Sequence, residues 1–572
     1  MPRPDASILG DCSEQDWIES TLRRRYPTLP SQAHWMQTQF NFTGVDRDPR
    51  SLYHPIFTDP AAPAGAPGAD GAVERVQKRQ SDMDLIFLGT ASCIPGTSRG
   101  VSCVALRLNW KKGLASVMSS QKRRAGKVDR RNPRGDGGGV ENVGGTWLFD
   151  CGEGSQIQLQ KATNVKTAKI TKIFVTHAHG DHSFGLPGIL CLIGQGREKN
   201  SPPIDIYGPE GLRMWLRTSV RYSVSRIVPP FRVHELKDCP MSPNWKVGPN
   251  GRFFNNGQVR TDTWKLNPQP TVEDPLSWLS NLKNIKLEAN PLFGEVEGGR
   301  DIYPQYDHPK CVDNAPVYVV EEEEDVAVYA APMAHGVPCV GYVIKEADKA
   351  GRLKADLVAP ILKRNFQALI DGGVKDPMKL MAHIKKMKEG DTFTMPDGTV
   401  IVQSEVVEPP QKGRIVAICG DTSDASAMAG IAHGADVLVH EATNTHFDNM
   451  DQGTYKQAEN DAVRHGHSTP LMAGEFAGRI RAKRLLMNHF SPRYPGDPSI
   501  ESIRTMTRIE KQAMDASGLP ETAVVAVWDF MSIPIPYSDA KSKVPNDPNV
   551  VKQLKKMQES NGRKLSREKA RK

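Results

Sequence analysis

The chain has no uninterrupted apolar run approaching the ~20 residues a membrane-spanning helix requires, so nothing in it reads as a membrane anchor. Its nine cysteines lack paired spacing, which excludes a disulfide framework. Several, such as Cys151 and Cys419, lie in or beside apolar strands where a small thiol packs well. We expect them to be reduced and the protein intracellular, in cytoplasm or nucleus ahead of an organelle. The first residues include Asp5, Asp11, Glu14 and Asp16 and no apolar stretch, so neither a secretory signal nor a simple transit peptide is expected. An excess of charge is also missing from the bulk of the chain. The net charge is +8, and Lys541 to Lys572 alone carry eleven basic against three acidic residues. That tail, and a second basic stretch from Lys111 to Arg134 that runs into a Gly-rich segment ending at Gly145, read as solvated. Either could grip phosphates in a salt-dependent way, or serve only solubility or targeting.

What is present is chemically specific. Ile173-Phe174-Val175-Thr176-His177-Ala178-His179-Gly180-Asp181-His182 is an apolar, β-branched strand that ends in four metal-ligand side chains. Extended backbone points His177 and His179 the same way. The turn after Gly180 brings Asp181 and His182 toward a second nearby point. Imidazoles with a carboxylate suit Zn²⁺ or a similar divalent ion, and the cluster has room for two.

Two ions need more ligands than this cluster supplies, and other strands also end in suitable residues. His335 stands at a turn before the apolar Val343-Ile344. Arg414 to Cys419 ends in Gly420-Asp421, Asp436 to Val439 in His440-Glu441-Ala442-Thr443, and Arg484 to Met487 in Asn488-His489. A single histidine after a strand is weak support; a series of them argues for one sheet edge where ligands converge.

With these residues the sequence resembles the metallo-β-lactamase superfamily, whose signature is H-x-H-x-D-H, and within it the tRNase Z family. The resemblance rests on Phe87-Leu88-Gly89-Thr90 with Pro95 and Thr97-Ser98-Arg99-Gly100, on Asp150-Cys151-Gly152-Glu153-Gly154-Ser155-Gln156, on the metal motif, and on Ile206-Tyr207-Gly208-Pro209. His335 to Tyr342, Gly420-Asp421, His440-Glu441-Ala442-Thr443, His467-Ser468-Thr469 and Asn488-His489-Phe490-Ser491 complete it, in the family's order, from Asp84 to Met531.

The resemblance implies an α/β fold, a four-layer αββα metallo-β-lactamase sandwich with insertions and a helical exosite-like arm. It also implies two Zn²⁺ per subunit, one on His177, His179 and His335, the other on Asp181, His182 and His489, with Asp421 bridging. Asp181 is then also placed to accept a proton from the attacking water. His467 donates one to the leaving ribose 3′ oxygen, oriented by Glu441. The implied substrate is precursor tRNA, cut to leave a tRNA 3′ hydroxyl and a 5′-phosphorylated trailer. The implied assembly is a homodimer in which one subunit's arm presents tRNA to the other's metals. The long form of the family joins two halves, but only one H-x-H-x-D-H is present here, so the chain resembles the short form enlarged by insertions. The alternative is a sibling phosphodiesterase or arylsulfatase-like hydrolase acting on a small substrate. A non-catalytic RNA-binding member would lack a ligand, and none is lacking.

Along the chain, residues 1–81 read as an extension and linker and 82–538 as the nuclease domain. Insertions fall at about 108–145 and 240–312, and 539–572 is a basic tail expected to be disordered. A helix is expected near Phe184 to Ile193. Arg232 to Cys311 reads as irregular insertion and Glu321 to Asp325 as a solvated turn. The spacing of Leu353, Leu357, Ile361, Leu362, Phe366, Leu369 and Ile370 is helical, with Lys379, Lys385, Lys386 and Lys388 following. The resemblance implies that 345–395 is the tRNA-binding arm; the alternative is a helical pair packed on the domain.

Overall fold

Alternation along one buried strand sets the layering. In the computed structural model, Met83, Leu85 and Phe87 enter one apolar cluster while Ile86 and Leu88 enter another, because successive side chains leave a strand on opposite faces. The structure describes residues 83–108 and 145–537, apart from 163, 198–200, 241–244, 248–252, 256–287 and the single residues 313, 324, 350, 389, 449 and 498. The expected N-terminal extension, the 108–145 insertion, most of the 240–312 insertion and the basic tail lie outside them.

The first sheet runs, edge to edge, Ser532–Pro534 (β15), Met83–Gly89 (β1), Cys103–Leu108 (β2), Gly145–Phe149 (β3), Ile170–Phe174 (β4), Ile204–Pro209 (β5), Phe231–Leu236 (β6) and Asp301–Ile302 (β7). The second runs Tyr318–Glu322 (β8), Val326–Met333 (β9), Cys339–Glu346 (β10), Ile415–Ile418 (β11), Val437–Glu441 (β12), Leu485–Asn488 (β13) and Val524–Ala526 (β14). Helices Ser155–Lys161 (α1), Leu186–Gly196 (α2) and Leu212–Tyr222 (α3) cover the outer face of the first sheet through Leu159, Ile189, Ile193 and Leu216. Pro470–Arg479 (α4) and Ile500–Ser517 (α5) cover the second through Phe476, Ile503, Met506 and Ile509. The four layers are the αββα sandwich.

Strand direction places the site. β3, β4, β5 and β6 are mutually parallel, as are β11, β12, β13 and β14. Parallel strands present their carboxyl ends together, and side chains just past those ends share one crevice. A ladder of rings, Phe149 on Phe174 at 4.9 Å, Phe174 on Tyr207 at 4.9 Å and Tyr207 on His234 at 4.5 Å, fills the inter-sheet space beneath. Tyr342 Oη donates across the gap to the Val175 carbonyl at 2.9 Å, tying the second sheet to the segment that feeds the histidine cluster.

Two expectations need correcting. Arg232 to Cys311 is not wholly insertion, since β6 and β7 both join the first sheet and bury Val233, Leu236 and Ile302. Glu321 is not merely solvated, since it pairs with Lys172 and accepts from Tyr207 Oη at 3.3 Å. The helix expected near Phe184 to Ile193 is α2, Leu186–Gly196, and the short helix Gly180–Ser183 precedes it.

Between β10 and β11 the chain leaves the sandwich. Ala355–Arg364, Phe366–Asp371 and Leu380–Lys386 pack with a small hairpin, Thr392–Thr394 and Val400–Val402. They enclose their own cluster of Val358, Leu362, Leu369, Ile384, Met395 and Ile401. Antiparallel bridges Lys349–Gln411 and Leu353–Val407 form its stem. Lys379, Lys385, Lys386 and Lys388 are exposed on it.

At the base of this stem Arg414 holds Glu346 in a two-pronged ion pair at 2.8 and 3.1 Å, with side chains 1% and 3% exposed. Removing one partner of such a pair strands the other charge in the interior. Arg414→Ala is therefore expected to lower unfolding free energy by about 3–5 kcal/mol in denaturant titrations.

Candidate metal centre

The loop after β4 runs extended through Thr176, His177, Ala178 and His179, then turns into the short helix Gly180–Ser183. His335 enters from the β9–β10 turn, Asp421 just after β11 and His489 just after β13. His489 is held at φ 59°, a left-handed backbone conformation that a non-glycine residue keeps only where its surroundings impose it.

These seven side chains, from four separate parts of the chain, meet in one crevice. His179 Nδ1 lies 3.1 Å from both His177 Nε2 and His335 Nε2. In the second set, His489 Nε2 stands 3.3 Å from His182 Nε2 and 3.4 Å from Asp181 Oδ2. Ligand atoms about 2.0–2.1 Å from a tetrahedral zinc stand about 3.3–3.4 Å apart, so both sets have the dimensions of a zinc site. Asp421 Oδ2 lies between them, 3.2 and 3.4 Å from His489 and His182 and 3.8 and 4.0 Å from His177 and His335.

The partner of each second ring nitrogen decides which nitrogen is free for metal. His335 Nδ1 faces the Gly466 carbonyl at 2.9 Å and His182 Nδ1 faces Asp150 Oδ2 at 2.7 Å, so both must donate there and leave Nε2 bare. Asp150 also accepts from the Thr176 amide at 2.7 Å and from Thr176 Oγ1 at 2.8 Å.

Burial, with neighbouring His182, holds His177 well below the ordinary histidine range, and burial lowers His179 too and brings His335 to about 3. All three imidazoles are then neutral at pH 7, the form a metal ligand needs. Burial also pushes His182 down, but Asp421 and Asp150 outweigh it and raise the value. Burial likewise favours neutral Asp181 and Asp421, yet the facing imidazoles keep both carboxyls below their usual range. The second position thus has a field that favours positive charge, which a divalent cation satisfies.

Glu441 stands at the end of β12 and is 2% exposed. Its Oε1 accepts from the Thr422 amide at 2.6 Å and meets His467 Nδ1 at 3.1 Å. Burial works against charge on both groups, but each outweighs it for the other. Glu441 stays below the ordinary range and His467 rises to about 9. The His467 ring is 5.3 Å from His335 and 5.4 Å from His489, beside both ligand sets.

All nine residues expected from the sequence therefore converge. Asp150 and Thr176 hydrogen-bond to His182 and His177, and Thr443 Oγ1 lies 2.9 Å from His489 Nδ1, contacts the sequence motifs did not assign. Their signal was adjacency, since Thr176 directly precedes a ligand and Thr443 closes the His-Glu-Ala-Thr box.

Residues 146–260 match the family described as "Beta-lactamase superfamily domain". Human zinc phosphodiesterase ELAC protein 1 is 31% identical over 461 residues, covering 79% of this chain and 99% of that protein. Ribonuclease Z of Bacillus subtilis (strain 168) is 28% identical over 455 residues, covering 79% and 99%. The crystal structure of human tRNase Z, short form, is 26% identical, covers 79% of this chain and 100% of its own, and aligns with a TM-score of 0.41.

Proposed function

The chain belongs to the tRNase Z (ribonuclease Z) family of metallo-β-lactamase-fold hydrolases, and from that premise we propose how its crevice cuts RNA. The protein is a zinc-dependent endoribonuclease of precursor tRNA 3′ ends. Our reading gives it two ions, on the two sets described, and the observation that carries this is the position of Asp421 Oδ2 within 4.0 Å of ligand nitrogens from both.

Bound there, paired zinc ions would supply Lewis-acid activation of water and charge compensation at the phosphate. The chain's own groups do the rest. Asp181, at the partly open mouth, takes the proton from the attacking water; the Cys93 amide donates to its Oδ2 at 2.8 Å and holds it in place. His467, charged through Glu441, gives a proton to the departing ribose 3′ oxygen, a poor leaving group without one. The products are then a tRNA 3′ hydroxyl and a 5′-phosphorylated trailer. Phe184 stands at the mouth 62% exposed, an aromatic face suited to stacking on a base.

In this reading 82–538 is the nuclease domain and the lysine-bearing projection between β10 and β11 is the tRNA-gripping arm, acting across a homodimer. Among the described residues no helix is long and apolar enough to cross a membrane, and all eight described cysteines are free, which fits a reducing compartment.

The test is paired cleavage of a trailer-bearing tRNA and of bis(p-nitrophenyl) phosphate, with wild type and with residues 353–407 replaced by a short turn. We expect wild type to prefer the tRNA strongly. The shortened protein should keep activity on the small ester and lose affinity for tRNA. Equal turnover of both substrates by wild type would favour the small-substrate hydrolase instead.

A further inference from the structure

The two ligand sets are braced by the same device. On one side Thr176 Oγ1 touches Asp150 Oδ2 at 2.8 Å and His177 Nδ1 at 3.0 Å. On the other, Thr443 Oγ1 touches Glu441 Oε2 and, at 2.9 Å, His489 Nδ1. A hydroxyl has one hydrogen to give. A carboxylate can only accept, so each threonine spends its hydrogen on the acid and must accept from the histidine. The Nδ1 atoms of His177 and His489 therefore carry the protons, and their Nε2 atoms face the crevice with free lone pairs.

We propose that Thr443 is a positioning residue that fixes the metal-binding tautomer of His489 and, through Glu441, ties the second cation position to the proton donor His467. Glu441 divides its two oxygens between these tasks. Oε1 orients His467, and Oε2 sets the direction of the Thr443 hydroxyl. The same carboxylate thus aligns a ligand and an acid, whereas the Asp150–Thr176 pair braces only ligands, His177 and His182. A side chain of the same shape without the hydroxyl leaves His489 free to flip or to protonate on Nε2, either of which withdraws its lone pair from the cation.

The inference rests on the two-ion reading of the crevice, and its test is zinc binding rather than turnover. Full-length wild type, Thr443→Val, Thr443→Ser and Thr176→Val are stripped with chelator. Zinc is then titrated against a competing chromophoric chelator, and circular dichroism reports the fold. Loss of an outer partner of a ligand costs roughly 10- to 100-fold in metal affinity. We expect Thr443→Val to weaken one of two zinc affinities by that factor, Thr443→Ser to restore it, and Thr176→Val to weaken the other. Should the valine variant fail to fold, Thr443→Ala compared with Thr443→Ser reads the same contrast. Two wild-type affinities in Thr443→Val or →Ala, or a serine variant as weak as either, overturns the relay alone. A wild type that binds fewer than two ions overturns the two-ion reading itself.

Discussion

Asp421→Ala is expected to leave the protein with at most one zinc ion and to reduce cleavage of trailer-bearing tRNA by more than the ~10²–10³-fold that loss of one transition-state donor costs. The reason is position. Asp421 Oδ2 lies within 4.0 Å of nitrogens from both sets, so in the two-ion reading its removal would take a ligand and a negative charge from both cation positions at once. Asp421 is 3% exposed, so solvent at the protein surface is a poor substitute for its charge. Asp421→Asn keeps the shape and loses the charge, and should behave like alanine. The check is zinc content of dialysed protein by emission spectrometry beside single-turnover cleavage. A variant retaining two ions and cutting within a few-fold of wild type would show that the two sets do not act as one site.

His467→Ala should behave differently. Zinc content stays at the wild-type value while kcat on tRNA falls about 10²–10⁴-fold, the span general acid catalysis supplies. On bis(p-nitrophenyl) phosphate the same variant loses little, because nitrophenolate departs without a proton. The pH profile follows from the charge state. His467 works protonated and is raised to about 9 by Glu441 against the effect of burial, so activity on tRNA holds below that pH and declines above it. Paired cations nearby lower that value, so the decline begins at or below pH 9. It should be missing from His467→Ala and move to lower pH in Glu441→Gln, which removes the charge that raises it. An unchanged alkaline limb in both variants would assign the proton to another group.

How much of this was legible in the sequence depended on whether a residue's role is local. His177, His179, Asp181 and His182 announce themselves because four ligand types crowd one strand exit. His335, Asp421 and His489 are readable because each follows an apolar strand and parallel strands put their ends together. Thr176 and Thr443 carry no such mark. What defines them is a partner elsewhere, Asp150 at 26 positions from Thr176 and His489 at 46 from Thr443, and no periodicity encodes a hydroxyl's direction.

The fold divides the same way. β11 and β13 are apolar runs up to their last residue, but β6, Phe-Arg-Val-His-Glu-Leu, carries Arg232, His234 and Glu235 directly after Pro229-Pro230, in a segment whose Pro and Asn content reads as loop. Arg232, His234 and Glu235 there are satisfied by Asp205, Arg300 and Arg213, contacts visible only once the strands are paired. The arm's helices follow from their apolar spacing. Its hairpin carries a turn signal at Asp397-Gly398, just beyond the expected boundary at residue 395.

In the two-ion reading, seven side chains hold two cations whose joint presence permits RNA cleavage. Stepwise return of zinc to chelator-stripped protein, with cleavage of a trailer-bearing precursor tRNA read at each step, tests it most directly. No cleavage is expected without zinc, and full rate only as the second equivalent binds; undiminished cleavage by the zinc-free protein would overturn the two-ion reading.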